Sequence, residues 1–183
     1  MFEKLIKKIA FYLDKNKIPY MIIGGQAVLL YGVPRLTKDI DITLGIDTDK
    51  FIIIKNICNK IGLKILPKNP ESFARDTKVL PVAESKLGIR VDFIFSFTDY
   101  EKQAMKKTKK IILNNYPIKF ASCEDVIIHK MFANRAIDLE DVKNILIKNK
   151  EKINFQYIKK WLIKFSIIPE QKEILNKFNN LLK

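Results

Sequence analysis

Residues Asp39 to Leu44 read Asp-Ile-Asp-Ile-Thr-Leu, a strict alternation that fits a β-strand with one buried face and little else. Such a strand turns Asp39 and Asp41 to one side, roughly 7 Å apart by two steps of strand rise, and buries Ile40 and Ile42 on the other. A second constraint stands upstream, where the short apolar run Tyr20 to Ile23 is followed directly by Gly24-Gly25 and then by the helical stretch Gln26 to Tyr31. A glycine pair at a strand-to-helix turn lets the backbone bend tightly and brings amide N–H groups, with the positive end of the helix, toward an anion. That is a seat for phosphate. The third constraint is Val91-Asp92-Phe93, a single carboxylate on an otherwise apolar strand. If that strand neighbours residues 39–44, three acids share one place. They would repel one another without a cation between them.

The remainder of the chain is read from its periodicities. Phe2, Leu5, Ile6, Ile9, Ala10 and Leu13 form a helical stripe, and Gly32 to Lys38 is a loop. A helix is expected over Asp49 to Ile61 with Thr48 as its N-cap, then a mobile, polar loop from Pro67 to Thr77. Val79 to Ala83 and Ile89 to Phe95 are strands of a hairpin, Tyr100 to Lys107 is a helix, and Ile111 to Leu113 and Pro117 to Phe120 are short strands around Asn114-Asn115. From Ser122, which with Asp125 forms a capping-box pattern, apolar stripes run through Val126–Phe132, Leu139–Ile147, Phe155–Phe165 and Ile174–Leu182. The expected architecture is α/β: a small mixed sheet flanked by helices over residues 1–120, followed by an all-helical region over residues 121–183 that completes the active-site cleft.

Composition bounds what such a chain does. With 183 residues, 48% hydrophobic and 30% charged, and only 6 Gly and 7 Pro, it holds a true core and is neither disordered nor repetitive. Cys58 and Cys123 are far apart and form no C-x-x-C pair, so neither a disulfide framework nor a thiolate metal site is expected, and a reducing, cytoplasmic setting is. No apolar run has the length to cross a bilayer, so no membrane partner is expected. The net charge is +14, with 18 bases against 9 acids in residues 101–183. That field favours a polyanionic partner, although a lysine-rich chain also arises from biased composition or adaptation to heat.

The ordered set, Gly24-Gly25, a 13-residue spacer from Gln26 to Lys38, the Asp-x-Asp strand and the later strand Asp, resembles the nucleotidyltransferase superfamily with the polymerase-β-like fold over about residues 18–96. Within it, Gly-Gly-Gln-Ala followed by Arg-x-Thr-x-Asp-Ile-Asp looks most like the AbiEii-type nucleotidyltransferase toxins and related minimal proteins, and Ser122 to Asp141 is similar to their helical portion. The resemblance implies that Gly24 and Gly25 hold a triphosphate, that Asp39 and Asp41 bind Mg²⁺ or Mn²⁺, and that Asp92 completes the metal site and helps deprotonate the attacking hydroxyl. It implies that Lys130 meets phosphate, and it matches Asp138 to an acid that orients Lys130 or Arg135. Arg35 and Lys38 are further cations for the leaving group. One departure stands out, since many superfamily members carry Ser where this chain has Gly25, which removes a hydroxyl from the γ-phosphate.

Taken one at a time, these residues have plainer readings. Asp39 and Asp41 alone describe the wet face of an edge strand, Asp92 alone a cap or ion pair, and Lys130 alone a solvated lysine; His129, the sole histidine, lacks the partners of a general base. Trp161, Phe155, Tyr157 and Phe165 fall at helical spacing, which favours core over base stacking. The resemblance implies an enzyme that moves a nucleoside monophosphate from a nucleoside triphosphate to an acceptor hydroxyl, with RNA, at a tRNA 3′ end, as the acceptor and a cognate antitoxin as a partner. The alternatives are a small molecule of the antibiotic kind, a protein, or a nucleotide-binding module without turnover. A concave acidic pocket beside the site would favour a cationic small molecule.

Overall fold

The computed structural model describes residues 2–86, 88–96 and 98–182. It divides into two compact units, the first of residues 1–26 and 37–121 and the second of residues 27–36 and 122–183.

The first unit is built on one mixed sheet. Its strands are β1 (Tyr20–Ile23), β2 (Asp39–Leu44), β3 (Lys64–Ile65), β4 (Val79–Glu84), β5 (Ile89–Phe95), β6 (Lys109–Leu113) and β7 (Tyr116–Phe120), in the order β3-β4-β5-β2-β1-β7-β6. The β2–β5 and β1–β7 pairs are parallel and the others antiparallel. The alternation of β2 is realised: Ile40, Ile42 and Leu44 are fully buried while Asp39 is exposed and Asp41 half-buried. Beside it Val91, Phe93 and Phe95 of β5 are buried in the same register. Helix α1 (Phe2–Lys15) buries Leu5, Ile6, Ile9, Ala10 and Leu13, the stripe its sequence spells out, and packs on α3 (Phe51–Ile61). Asn114 and Asn115 both take positive φ, as a tight β6–β7 hairpin turn requires.

Local capping corrects two expectations in this unit. Thr48 is not the cap of α3, which Lys50 precedes without a side-chain cap; Thr48–Lys50 forms a 3₁₀ turn that leads into α3 and is itself capped by Asp47, whose carboxylate accepts the Thr48 N–H. Asp is the better cap because its carboxylate is a full charge at the positive end of the turn. Residues 67–77 are not one loop. Helix α4 (Pro70–Thr77) begins with Pro at its first turn, carries a Glu71–Arg75 ion pair one turn apart and buries Ala74 alone. The polar surface that looks like a loop in sequence is the wet face of a short helix. Thr98 caps α5 (Asp99–Lys106).

In the second unit, α6 (Cys123–Ala133), α7 (Ala136–Asn149), α8 (Phe155–Phe165) and α9 (Ile174–Leu181) enclose a core of Val126, Ile127, Met131, Val142, Ile145, Ile158, Leu162 and Phe178. Trp161 and Tyr157 are buried with them, and Phe155 and Phe165 are half-buried. Ser122 caps α6 by accepting the Asp125 N–H, as its sequence pattern expects, and its own hydroxyl donates to Asp125. The buried Asp125 also accepts the Tyr157 hydroxyl at 2.8 Å, and burial first, then this carboxylate, pushes the Tyr157 hydroxyl well above its ordinary range. The chain passes from the first unit to the second inside α2 (Gly24–Tyr31). The carbonyls at its end are met by Asn149, on Tyr31, and by Lys148, on Gly32. Among the described residues no helix is long and apolar enough to cross a membrane.

Candidate active site

Parallel pairing of β2 with β5 sets Asp39 opposite Arg90 and Asp41 opposite Asp92. Paired residues of neighbouring strands point to the same face at a strand spacing of about 4.8 Å, so the three acids and Arg90 occupy one patch of one face. The condition left open by the sequence, that the Asp92 strand lie beside residues 39–44, is therefore met.

Arg90 went unread in the sequence. Its Nε donates to Asp92 Oδ1 at 2.9 Å, and its guanidinium is held above its ordinary pKa first by that hydrogen bond and by the Asp92 charge, then by Asp39 and Asp41. One cation thus lies in the field of all three carboxylates and offsets the repulsion expected of them. Its signal was legible, as Arg90 precedes Asp92 by two on an alternating strand.

Gly24 closes the patch from the β1 side, where Ile23 pairs with Asp41. Its φ is +62°, and a Cβ built on it would stand 1.9 Å from Asp41 Oδ2. Glycine is required twice over, for backbone sign and for room. The glycine pair is not a separate turn ahead of the helix, because α2 already begins at Gly24. A Cβ on Gly25 would stand 2.5 Å from Thr37 Oγ1, and that hydroxyl donates to the Asp39 carbonyl at 3.4 Å. The space that a side chain at position 25 would take is filled here by Thr37, which the sequence motif includes without a role. The spacing of Thr37 two places before Asp39 could have revealed it. Lys38 is exposed between them.

The three carboxylates of this patch offer oxygen donors, which suit a hard divalent cation, beside the Arg90 guanidinium. Among the described residues no three acidic, imidazole or thiol groups converge into a site that holds a metal ion on their own. The directly opposed pair is Asp41 and Asp92, with Asp39 one side-chain step along β2. A divalent ion that keeps several waters and takes phosphate oxygens for the rest of its shell fits such a pair.

The other predicted cations lie in the second unit. Lys130 on α6 does not present its ammonium to solvent. Its side chain is 6% exposed and donates to Asp138 at 2.7 Å and to Asp141 at 2.9 Å, both on α7. Arg35 grips Asp141 with two hydrogen bonds at 3.1 and 3.0 Å, and Arg135 donates to Asp138 from Nε, from its terminal guanidinium nitrogen and from its backbone N–H. Burial alone would raise both acids; the hydrogen bonds from Arg135 and Lys130 to Asp138, and from Arg35 and Lys130 to Asp141, outweigh it and hold both carboxyls below their ordinary value. Asp138 contacts both Lys130 and Arg135. Within this network Lys130 is the buried anchor, while Arg135 remains 70% exposed at its side chain and Arg35 32%. His129 is half-buried on α6.

A family described as "Nucleotidyltransferase of unknown function (DUF6036)" matches residues 1–180. No curated protein matches the chain by sequence. Solved structures of similar fold include the antibiotic-resistance factor ANT(2'')-Ia, at 15% identity over 97% of this chain and 91% of that one with a TM-score of 0.58. An antigenic nucleotidyltransferase-like protein from Paracoccidioides brasiliensis shares 15% identity over 96% and 92%, TM-score 0.53. The lincosamide antibiotic adenylyltransferase LnuA shares 20% over 76% and 95%, TM-score 0.50. At such identities the likeness is one of fold. The family match carries the superfamily and does not single out the AbiEii-type proteins within it.

Proposed function

The chain belongs to this family of nucleotidyltransferases, and from that premise we propose that it moves a nucleoside monophosphate from a nucleoside triphosphate to a hydroxyl of RNA. The observation that carries the proposal is the opposition of Asp41 and Asp92 beside a glycine whose missing side chain makes room for the Asp41 carboxylate.

The triphosphate lies against the start of α2, whose first-turn amides lack partners within the helix. Gly25 lets it approach, and the Thr37 hydroxyl replaces the serine hydroxyl for the terminal phosphate. Lys38 adds a cation. Asp39, Asp41 and Asp92 are the residues that would hold Mg²⁺ or Mn²⁺, which would supply charge neutralisation on the phosphates and lower the pKa of the acceptor hydroxyl. In the transfer, the hydroxyl oxygen bonds to the α-phosphorus, the bond from that phosphorus to the bridging oxygen breaks, and pyrophosphate departs. The hydroxyl proton passes to the Asp92 carboxylate, which Arg90 orients by its hydrogen bond to Oδ1. Arg35 and Arg135 are the cations the second unit offers an anionic ligand, oriented by the two carboxylates that Lys130 anchors.

RNA is favoured over a cationic small molecule by charge. The chain carries +14, and 18 bases against 9 acids fall in residues 101–183, a field that attracts a polyanion and repels a polycation. The tRNA 3′ end is the RNA we propose on the AbiEii-type resemblance, and a protein antitoxin is the partner that reading adds. The test is incubation with each labelled nucleoside triphosphate, magnesium and separate pools of RNA, protein and small molecules, comparing the unaltered protein with Asp39→Ala. Label in RNA that the variant abolishes supports the reading; label confined to protein or small molecules refutes it.

A further inference from the structure

The acid patch does not end at Asp92. Pro81 of β4 stands opposite Asp92, and the Leu66 N–H donates to the Pro81 carbonyl at 3.1 Å, so one cross-strand row runs from Asp41 through Asp92 and Pro81 to Leu66. At about 4.8 Å per strand, Pro81 begins a hollow next to the carboxylate. Its volume is about 580 Å³, within the range of about 300–1,000 Å³ usual for a small-molecule subsite. The opposite wall is α4 and its lead-in, where Asn69, Ser72, Phe73 and Asp76 recur at the spacing of a single helix face. Three features limit the occupant. Phe73 is 39% exposed although aromatic and lines the hollow. Leu66, Pro67 and Pro81 make the rest of the lining largely apolar, which suits a flat ring better than a sugar chain. Lys68 and Arg90, the latter also paired with Asp92, are the cations of the lining and Asp76 its acid, which gives a phosphodiester two donors to meet.

We propose that this hollow holds the 3′-terminal nucleotide of the acceptor RNA, with its base against Phe73, its phosphate toward Lys68 and Arg90, and its ribose hydroxyl toward Asp92. The inference rests on the RNA reading above and adds to it a subsite. It also gives Arg90 a second role, since its guanidinium both pairs Asp92 and lines the hollow. Helix α4 buries Ala74 alone, so Phe73 and Lys68 can be exchanged without opening the core.

The experiment uses the full chain and a short single-stranded RNA ending in 2-aminopurine, whose fluorescence falls when the terminal base stacks. Quenching is expected with the unaltered protein and with Asp41→Asn. Phe73→Ala should weaken binding by roughly ten- to hundredfold, the scale of one lost base–aromatic stack, Phe73→Trp should restore it, and Lys68→Glu should weaken it and flatten its salt dependence. In parallel transfer assays, Phe73→Ala should raise the KM for RNA and leave that for the nucleoside triphosphate unchanged. Phe73→Ala binding and using RNA like the unaltered protein would overturn the subsite and leave the RNA reading standing. Label appearing only in protein or small molecules would overturn the RNA reading, and the subsite as an acceptor site with it.

Discussion

Both units of this protein gather aspartates and basic residues, and they treat them in opposite ways. On the sheet, Asp39 is exposed and Asp41 and Asp92 are half-buried, with one arginine in reach of all three. Among the helices, Asp138 and Asp141 are fully enclosed and matched by Lys130, Arg35 and Arg135. Surplus charge of one sign at a wet face is poised for a ligand of the other sign. Charge sealed inside with its partners fixes the position of helices.

This contrast can be broken by exchanging one residue in each place. Lys130→Ala leaves two buried carboxylates without their shared cation and should cost about 3–5 kcal/mol of stability in urea unfolding, whereas a loss below about 1 kcal/mol, typical of a surface pair, would remove the anchor assigned to it. Asp41→Asn should do the reverse, lowering nucleotidyl transfer at least about a hundredfold with an unfolding midpoint close to that of the unaltered protein. A smaller effect is expected of Gly24→Ala. The added Cβ meets Asp41 Oδ2 and the backbone sits at φ +62°, so stability should fall by about 1–2 kcal/mol, with turnover dropping more than stability because the displaced group is the Asp41 carboxylate.

How far all this could be read beforehand depended on the range of the interaction. Strand β2 and the glycine pair were legible because alternation and chain reversal are local properties of Asp39–Leu44 and Gly24-Gly25. The neighbourhood of Asp92 was legible only as a condition, since strand order is set by packing across the whole sheet. Helix α4 was missed because its stripe buries a single alanine, and its local signals, Pro70 in the first turn and the Glu71–Arg75 pair, are weak ones. The ion network was the least legible part: Arg35 and Asp141 are 106 residues apart, and nothing in the local pattern tells a lysine buried between two carboxylates from a solvated one.

Acidity sharpens the same comparison at lower amplitude. The pKa values of Asp138 and Asp141 are depressed in the folded protein, so their contribution is fully present above the unfolded value of about 3.9 and is lost as pH falls through the folded values. Stability followed by circular dichroism should therefore decline below about pH 4, and less steeply in Arg35→Met, which takes from Asp141 one of its two cations. The smallest effect is local to a cap. Ser122→Ala removes the acceptor for the Asp125 N–H and should cost about 1 kcal/mol in the same unfolding assay.

The central claim, that the sheet acids hold the divalent ions of transfer, is tested most directly by electron paramagnetic resonance of Mn²⁺ titrated into the protein with a non-hydrolysable nucleoside triphosphate. Tight Mn²⁺ uptake should be seen with the unaltered protein and be lost or weakened at least tenfold in Asp41→Asn and Asp92→Asn, while Ser122→Ala retains it. Uptake by both aspartate variants equal to that of the unaltered protein would contradict the claim.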